Sequence, residues 1–132
     1  MAALVAVAAA LGMTMIGAPA NAAGQDGTIN SGEFVFYYNS GCVNSYSDFA
    51  GSKKTLSGYT FLSSGAGHGQ AVKNNAACAF NANVDYDAKV FYNSYCGGAN
   101  DLIPAWSVVD LTNTYNENAS FKFWNTGYDC AA

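Results

Sequence analysis

Asp85 and Asp87 stand two residues apart, a spacing that on a strand sets both carboxylates on one face. Paired acids can cleave glycosidic bonds. The same charges on an edge strand keep sheets from pairing with one another, and that reading is preferred. His68 is the single histidine. It lies in Gly65-Ala66-Gly67-His68-Gly69, a surface turn that would hold a general base poorly. The glycine spacing superficially matches a phosphate loop, but no Lys-Ser or Lys-Thr follows and no helix is expected there. No catalytic residue is therefore assigned, no cofactor is required, and the chain is not expected to be an enzyme.

Cys42, Cys78, Cys96 and Cys130 are the remaining reactive side chains. An even number of cysteines in an exported chain reads as two disulfides. Zinc is the rival, but there is no Cys-x-x-Cys pair and only one imidazole to join it. Three pairings are open. Cys42–Cys78 with Cys96–Cys130 keeps each bridge within one half of the chain, and each closed bridge would contribute roughly 2–4 kcal/mol.

Export is read from residues 1–22, which carry no charge and no aromatic side chain. Their apolar run is broken by Gly17 and Pro19 and ends in Ala20-Asn21-Ala22, the small–x–small pattern of a cleavage site. The run is too short to span a bilayer. Residues 23–31 then form a short lead and residues 32–132 a single domain, expected to be secreted and monomeric, without a membrane partner. Nine acidic residues face five basic ones, a net charge of −4, which argues against a nucleic-acid partner.

The elements are strands and turns. Phe34–Tyr38, Tyr59–Leu62, Lys89–Tyr92 and Ser120–Trp124 are apolar or alternating runs between Gly, Asn and Ser, and Ser63–Gln70 reads as a turn. No sustained helical period occurs, and the spacing suits a β-sandwich or barrel. A repeat organises these runs: Val35-Phe36-Tyr37-Tyr38-Asn39-Ser40 returns 54 residues later as Lys89-Val90-Phe91-Tyr92-Asn93-Ser94, and Cys42 falls on Cys96 at the same offset. Asn74-Asn75-Ala76-Ala77-Cys78 returns 42 residues later as Asn116-Glu117-Asn118-Ala119-Ser120. Repeats too small to bury their own apolar faces must pack on each other.

This pattern resembles the βγ-crystallin superfamily, whose domain is a sandwich of two Greek-key motifs. The aromatic-to-glycine spacing of its first hairpin fits Phe91 to Gly98. In the first half the pair is Tyr37 to Asn44, and Asn is the commonest substitute for Gly at positive φ. The resemblance also implies a calcium turn at each Asn-rich segment. Glu117 and Ser120 are the candidate Ca²⁺ ligands in the second, whereas Cys78 offers sulfur, which a hard cation avoids. At most one weak site is expected. Turn-capping by the Asn side chains is the preferred reading.

The segments are also similar to the Streptomyces-type metalloproteinase inhibitors, single domains of the same kind. That likeness implies a secreted inhibitor whose partner is an extracellular protease; an extracellular structural or calcium-binding module is the alternative. The loops expected beside the hairpin corners, Ser45–Lys54 and Ala99–Ser107, are the candidate contact surface, with Tyr46 and Trp106 as candidate contact residues.

Overall fold

The computed structural model describes residues 24–131, so the export segment proposed at 1–22 lies outside the described residues. Seven strands form among these: β1 (Phe34–Asn39), β2 (Val43–Phe49), β3 (Cys78–Asn81), β4 (Ala88–Asn93), β5 (Gly97–Ile103), β6 (Ser107–Asp110) and β7 (Ser120–Phe123). They build one sheet in the order β2-β1-β3-β6 and a second in the order β5-β4-β7. All named pairings are antiparallel. The fold is all-β, with two Greek-key motifs packed as a sandwich.

Each motif begins as a hairpin, β1–β2 or β4–β5, and its last strand, β3 or β7, returns beside the first. The strand between them goes elsewhere. β6 follows β5 in the chain but pairs with β3 in the opposite sheet, from Cys78↔Asp110 to Asn81↔Ser107. The first motif reciprocates with a single bridge, in which Lys53 and Phe121 exchange both backbone hydrogen bonds at 3.0 Å.

The repeat is visible in the backbone itself. The β1–β2 register shifts between Tyr37 and Asn39, and the β4–β5 register between Phe91 and Asn93. Gly41, Cys42 and Asn44 have φ of 78°, 54° and 69°; Tyr95, Cys96 and Gly98, 54 residues on, have 61°, 56° and 79°. Asn44 thus takes the left-handed conformation that Gly98 takes in the second corner, and its side-chain amide donates to Asn39 Oδ1 at 2.6 Å. The disulfides are Cys42–Cys78 and Cys96–Cys130, so each corner is tied to a later point of its own half. Such bonds belong to an oxidising environment.

Period-2 alternation turns Phe34 and Phe36 of β1 and Phe121 and Phe123 of β7 toward the space between the sheets. Phe121 is the hub. Its ring stacks on Phe34 at 4.6 Å and meets Phe36, Phe49 and Phe123 edge-on at 5.6–5.9 Å. Leu56, Phe61, Val72, Val90 and Ile103 complete the fully buried layer.

Three local expectations are corrected. Tyr59–Leu62 is not a strand: Thr60 bridges Ala71 in a small irregular hairpin, because Gly65, Gly67 and Gly69, all at positive φ, turn the chain back after only a few paired residues. Asp85 and Asp87 lie in the loop before β4 rather than on a strand. Half of Ser45–Lys54 and most of Ala99–Ser107 are strand, since β2 runs to Phe49 and β5 to Ile103.

Phe121→Ala should cost about 3–5 kcal/mol of stability, as truncation of a core Phe does. The test is chemical denaturation followed by tryptophan fluorescence; a loss below 1 kcal/mol would contradict Phe121 as the packing centre.

Candidate functional site

The most exposed apolar surface in the second half gathers around the loop between β3 and β4. Asn81, fully buried at the end of β3, holds that loop from below. Its Nδ2 donates to Tyr86 O at 2.8 Å and to Ile103 O at 3.1 Å, while its Oδ1 accepts from the Asn83 amide at 3.0 Å. Asn83 Oδ1 then accepts from the amides of Asp85 and Tyr86 at 2.8 and 3.0 Å. These are the side-chain-to-backbone bonds that fix a loop without regular pairing.

Both tryptophans of the chain sit beside this loop. The Trp106 amide donates to Asn83 O at 3.0 Å, and the Ala105 amide to Asp87 Oδ1 at 2.9 Å. On the other side the Trp124 amide donates to Asp87 O at 2.7 Å. Trp106 has φ 54° and is 58% exposed, with its ring 5.4 Å from Phe80. Val84, Tyr86 and Val108 are also exposed. Lys89 Nζ lies 3.9 Å and Lys122 Nζ 5.3 Å from the Trp124 ring centre, so cationic and aromatic character occur together there. Asp85, Tyr86, Asp87, Trp124 and Asn125 line a shallow depression between them.

Of the two expected contact residues, Trp106 is presented to solvent. Tyr46 is half-buried, packed on Tyr37 at 5.6 Å with its hydroxyl donating to Gly27 O at 2.7 Å. Asp85 and Asp87 are exposed, and Asp87 is bound to the Trp106 turn as described. His68 is exposed on its turn, with Nδ1 3.1 Å from Ser63 O.

The Asn-rich turns meet where the two motifs touch. Asn74 and Asn116 both have positive φ, 67° and 54°. Their amides make matched bonds across the interface, Asn74 N to Asn118 O and Asn116 N to Ala76 O, each 2.9 Å. Asn118 is fully buried; its Oδ1 accepts from the Ala76 amide at 3.0 Å and its Nδ2 donates to Val72 O at 2.9 Å. Of the candidate Ca²⁺ ligands, Glu117 is exposed. Ser120 is fully buried, its hydroxyl donating to Asn93 O at 2.7 Å and accepting from the Cys96 amide at 3.0 Å. In the first turn Cys78 is bonded to Cys42.

Sequence reasoning did not single out Asn81, Asn83 or Asp101. Asn81 and Asn83 read as ordinary turn residues; only their burial and bonding show them as loop supports. Asp101 is buried in β5 and anchors the segment before the second Asn-rich turn. It accepts from the Thr112 and Thr114 amides and hydroxyls and from the Asn113 amide, at 2.6–3.2 Å. Burial pushes its carboxyl up, but the Thr114, Asn113 and Thr112 donors outweigh burial and hold it below the ordinary carboxylate range.

No protein-family model matches the chain, and no curated protein matches it. A solved structure described as "Evolution of the eye lens beta-gamma-crystallin domain fold" is similar at a TM-score of 0.58 and 15% identity, covering 74% of this chain and 89% of that one. At that identity the likeness concerns architecture: the fold is that of a βγ-crystallin-like domain.

Asn81→Ala should cost about 1–3 kcal/mol, the penalty for orphaning buried polar groups. It should also speed amide hydrogen exchange at Tyr86 and Asn83; unchanged exchange there would separate Asn81 from the loop. Asp101 is a depressed carboxylate, so its stabilisation is fully present above the ordinary carboxylate pKa and is lost as pH falls through its own. Asp101→Asn should therefore narrow the stability difference between pH 7 and pH 3, measured by urea denaturation at each pH.

Proposed function

We propose that the protein is an exported binding module that inhibits an extracellular protease, with metalloproteinases the first candidates, through the face formed by the Trp106 turn and the Val84–Asp87 loop. The observation that carries this reading is Trp106 itself: a large apolar side chain, mostly exposed, on a turn fixed by Asn83 and Asp87. Exposed aromatics on a rigid frame are the usual energetic centres of protein interfaces. A loop already ordered before binding loses little entropy on docking, which is the property an inhibitor needs. The two disulfides and the similarity of the sequence segments to secreted inhibitors support the same reading.

The test is inhibition of a thermolysin-like metalloproteinase and of a serine protease by the purified protein. Inhibition of one class is expected at micromolar concentration or below. Trp106→Ala should weaken it about 30-fold, the effect of a 2 kcal/mol hot spot, while leaving the melting temperature unchanged. No inhibition of either class, or full potency in the variant, would turn the assignment toward an extracellular structural module.

A further inference from the structure

At the start of β1, the segment before the strand lies against β2 through an acidic cluster. Carboxylate oxygens of Asp26, Glu33 and Asp48 all lie within 4.8 Å of one another. Glu33 and Asp48 are fully buried, and Asp26 is at the surface. Asp48 accepts from the Asp26 and Gly27 amides at 3.1 and 2.9 Å, and Asp26 Oδ1 from the Thr28 amide at 2.9 Å. Glu33 is different. Its Oε1 accepts one bond, from the Asn30 amide at 2.8 Å, and its Oε2, fully buried, has no hydrogen-bond partner among the described residues.

Among the described residues, no ion pair between a lysine and these carboxylates occurs. The chain has five basic residues, all lysines, and four have their ammonium groups elsewhere: Lys53 over Tyr59, Lys54 near Ala131 O, and Lys89 and Lys122 over Trp124. Asp101 shows how this protein treats a buried carboxylate that stands alone, surrounding it with five donated hydrogen bonds. Glu33 has one such bond and two carboxylate neighbours. A buried, unpartnered carboxylate oxygen beside like charges is costly unless something neutralises it.

We propose that Asp26, Glu33 and Asp48 bind a Ca²⁺ ion that fastens the segment from Gln25 to Asn30 onto β2. The donors are all hard oxygens, with no imidazole or thiolate, which selects calcium-type ions over zinc or copper. Two ligands on opposite sides of one Ca²⁺ are separated by about twice the 2.3–2.6 Å metal–oxygen distance, which the 4.8 Å limit respects. Asp26, at the surface, leaves one side open to water to fill the remaining positions. Burial, with the neighbouring Asp48, also drives the Glu33 carboxyl above its ordinary range, and burial does the same to Asp48; a bound cation would reverse both. The site belongs to one half only. Fifty-four residues on, Glu33 and Asp48 correspond to Asp87 and Leu102, both exposed.

The experiment is thermal melting of the purified protein in 10 mM CaCl₂, in 10 mM MgCl₂ and in EDTA. An ion that binds only the folded state raises the midpoint, and a rise of about 5 °C is expected in calcium alone. Glu33→Gln should abolish the rise and melt in EDTA no lower than wild type, because it removes the repulsion; a side chain with only a packing role would lower it. Glu117→Gln should retain the rise, separating this site from the Asn116–Ser120 turn. If Glu33→Gln does not fold, Asp26→Asn at the surface takes its place and should reduce the calcium response. Terbium luminescence sensitised by Tyr46, whose hydroxyl bonds to Gly27, should appear in wild type and be displaced by calcium. No rise in wild type, an equal rise in magnesium, or a full rise in Glu33→Gln would overturn the site.

Discussion

Asn118 sits, fully buried, at the point where the two motifs meet, and its side chain does what no strand does there. Neither motif can close its own sheet: the first needs β6 from the second, and the second needs the Lys53 bridge from the first. The exchange works only if the connecting segments of both halves are fixed against each other. Asn118 supplies that by accepting from Ala76 and donating to Val72, between the matched amide bonds of Asn74 and Asn116. In a dry interface each of those groups would otherwise be an unpaired polar atom. The aromatic core around Phe121 can then form, because rings from β1 and β7, in different sheets, are held in register.

Much of this was legible in the sequence, and the reasons are specific. The offset between Val35 and Lys89 survives because both corners need the same three left-handed residues, which restricts Gly41, Cys42 and Asn44 as it restricts Tyr95, Cys96 and Gly98. The bridges Cys42–Cys78 and Cys96–Cys130 follow the symmetry at their first cysteines only, since the counterpart of Cys78 is Ser120 and Cys130 lies beyond β7. β1, β4 and β7 were readable because aromatic or apolar alternation is strong wherever a strand faces the core. β6 escaped: Ser107–Asp110 is short and at a sheet edge, and its side chains alternate between half-buried and exposed. Tyr59–Leu62 looks like a strand because Phe61 is buried, yet it pairs over only a few residues.

The candidate sites were less legible, for a different reason. Trp106 could be singled out as an aromatic near a corner, but its exposure depends on Asn83 and Asp87, which the sequence places in an unremarkable polar stretch. Asp26, Glu33 and Asp48 carry no motif, since they come from a lead, a strand entrance and a strand end that only folding brings together. The Asn-rich turns erred in the opposite direction. Their pattern is recognisable, yet Ser120 spends its hydroxyl on Asn93 and Cys96, and Cys78 spends its sulfur on Cys42.

Pseudo-symmetry gives a way to tell folding residues from others. Where both halves need a bulky side chain or a left-handed residue, the fold demands it; where only one half has it, the other half shows that the architecture stands without it. At the same offsets, Trp106 corresponds to Ser52 and Trp124 to Ala82, so the first motif is built without either ring. Glu33 corresponds to Asp87, which is exposed and engaged by a backbone amide, so the second motif is built without a buried acid there. An exposed tryptophan and an unpaired buried carboxylate each cost free energy in a domain this small. The matching half removes folding as the reason for either, which leaves what the tryptophan face and the acidic cluster bind.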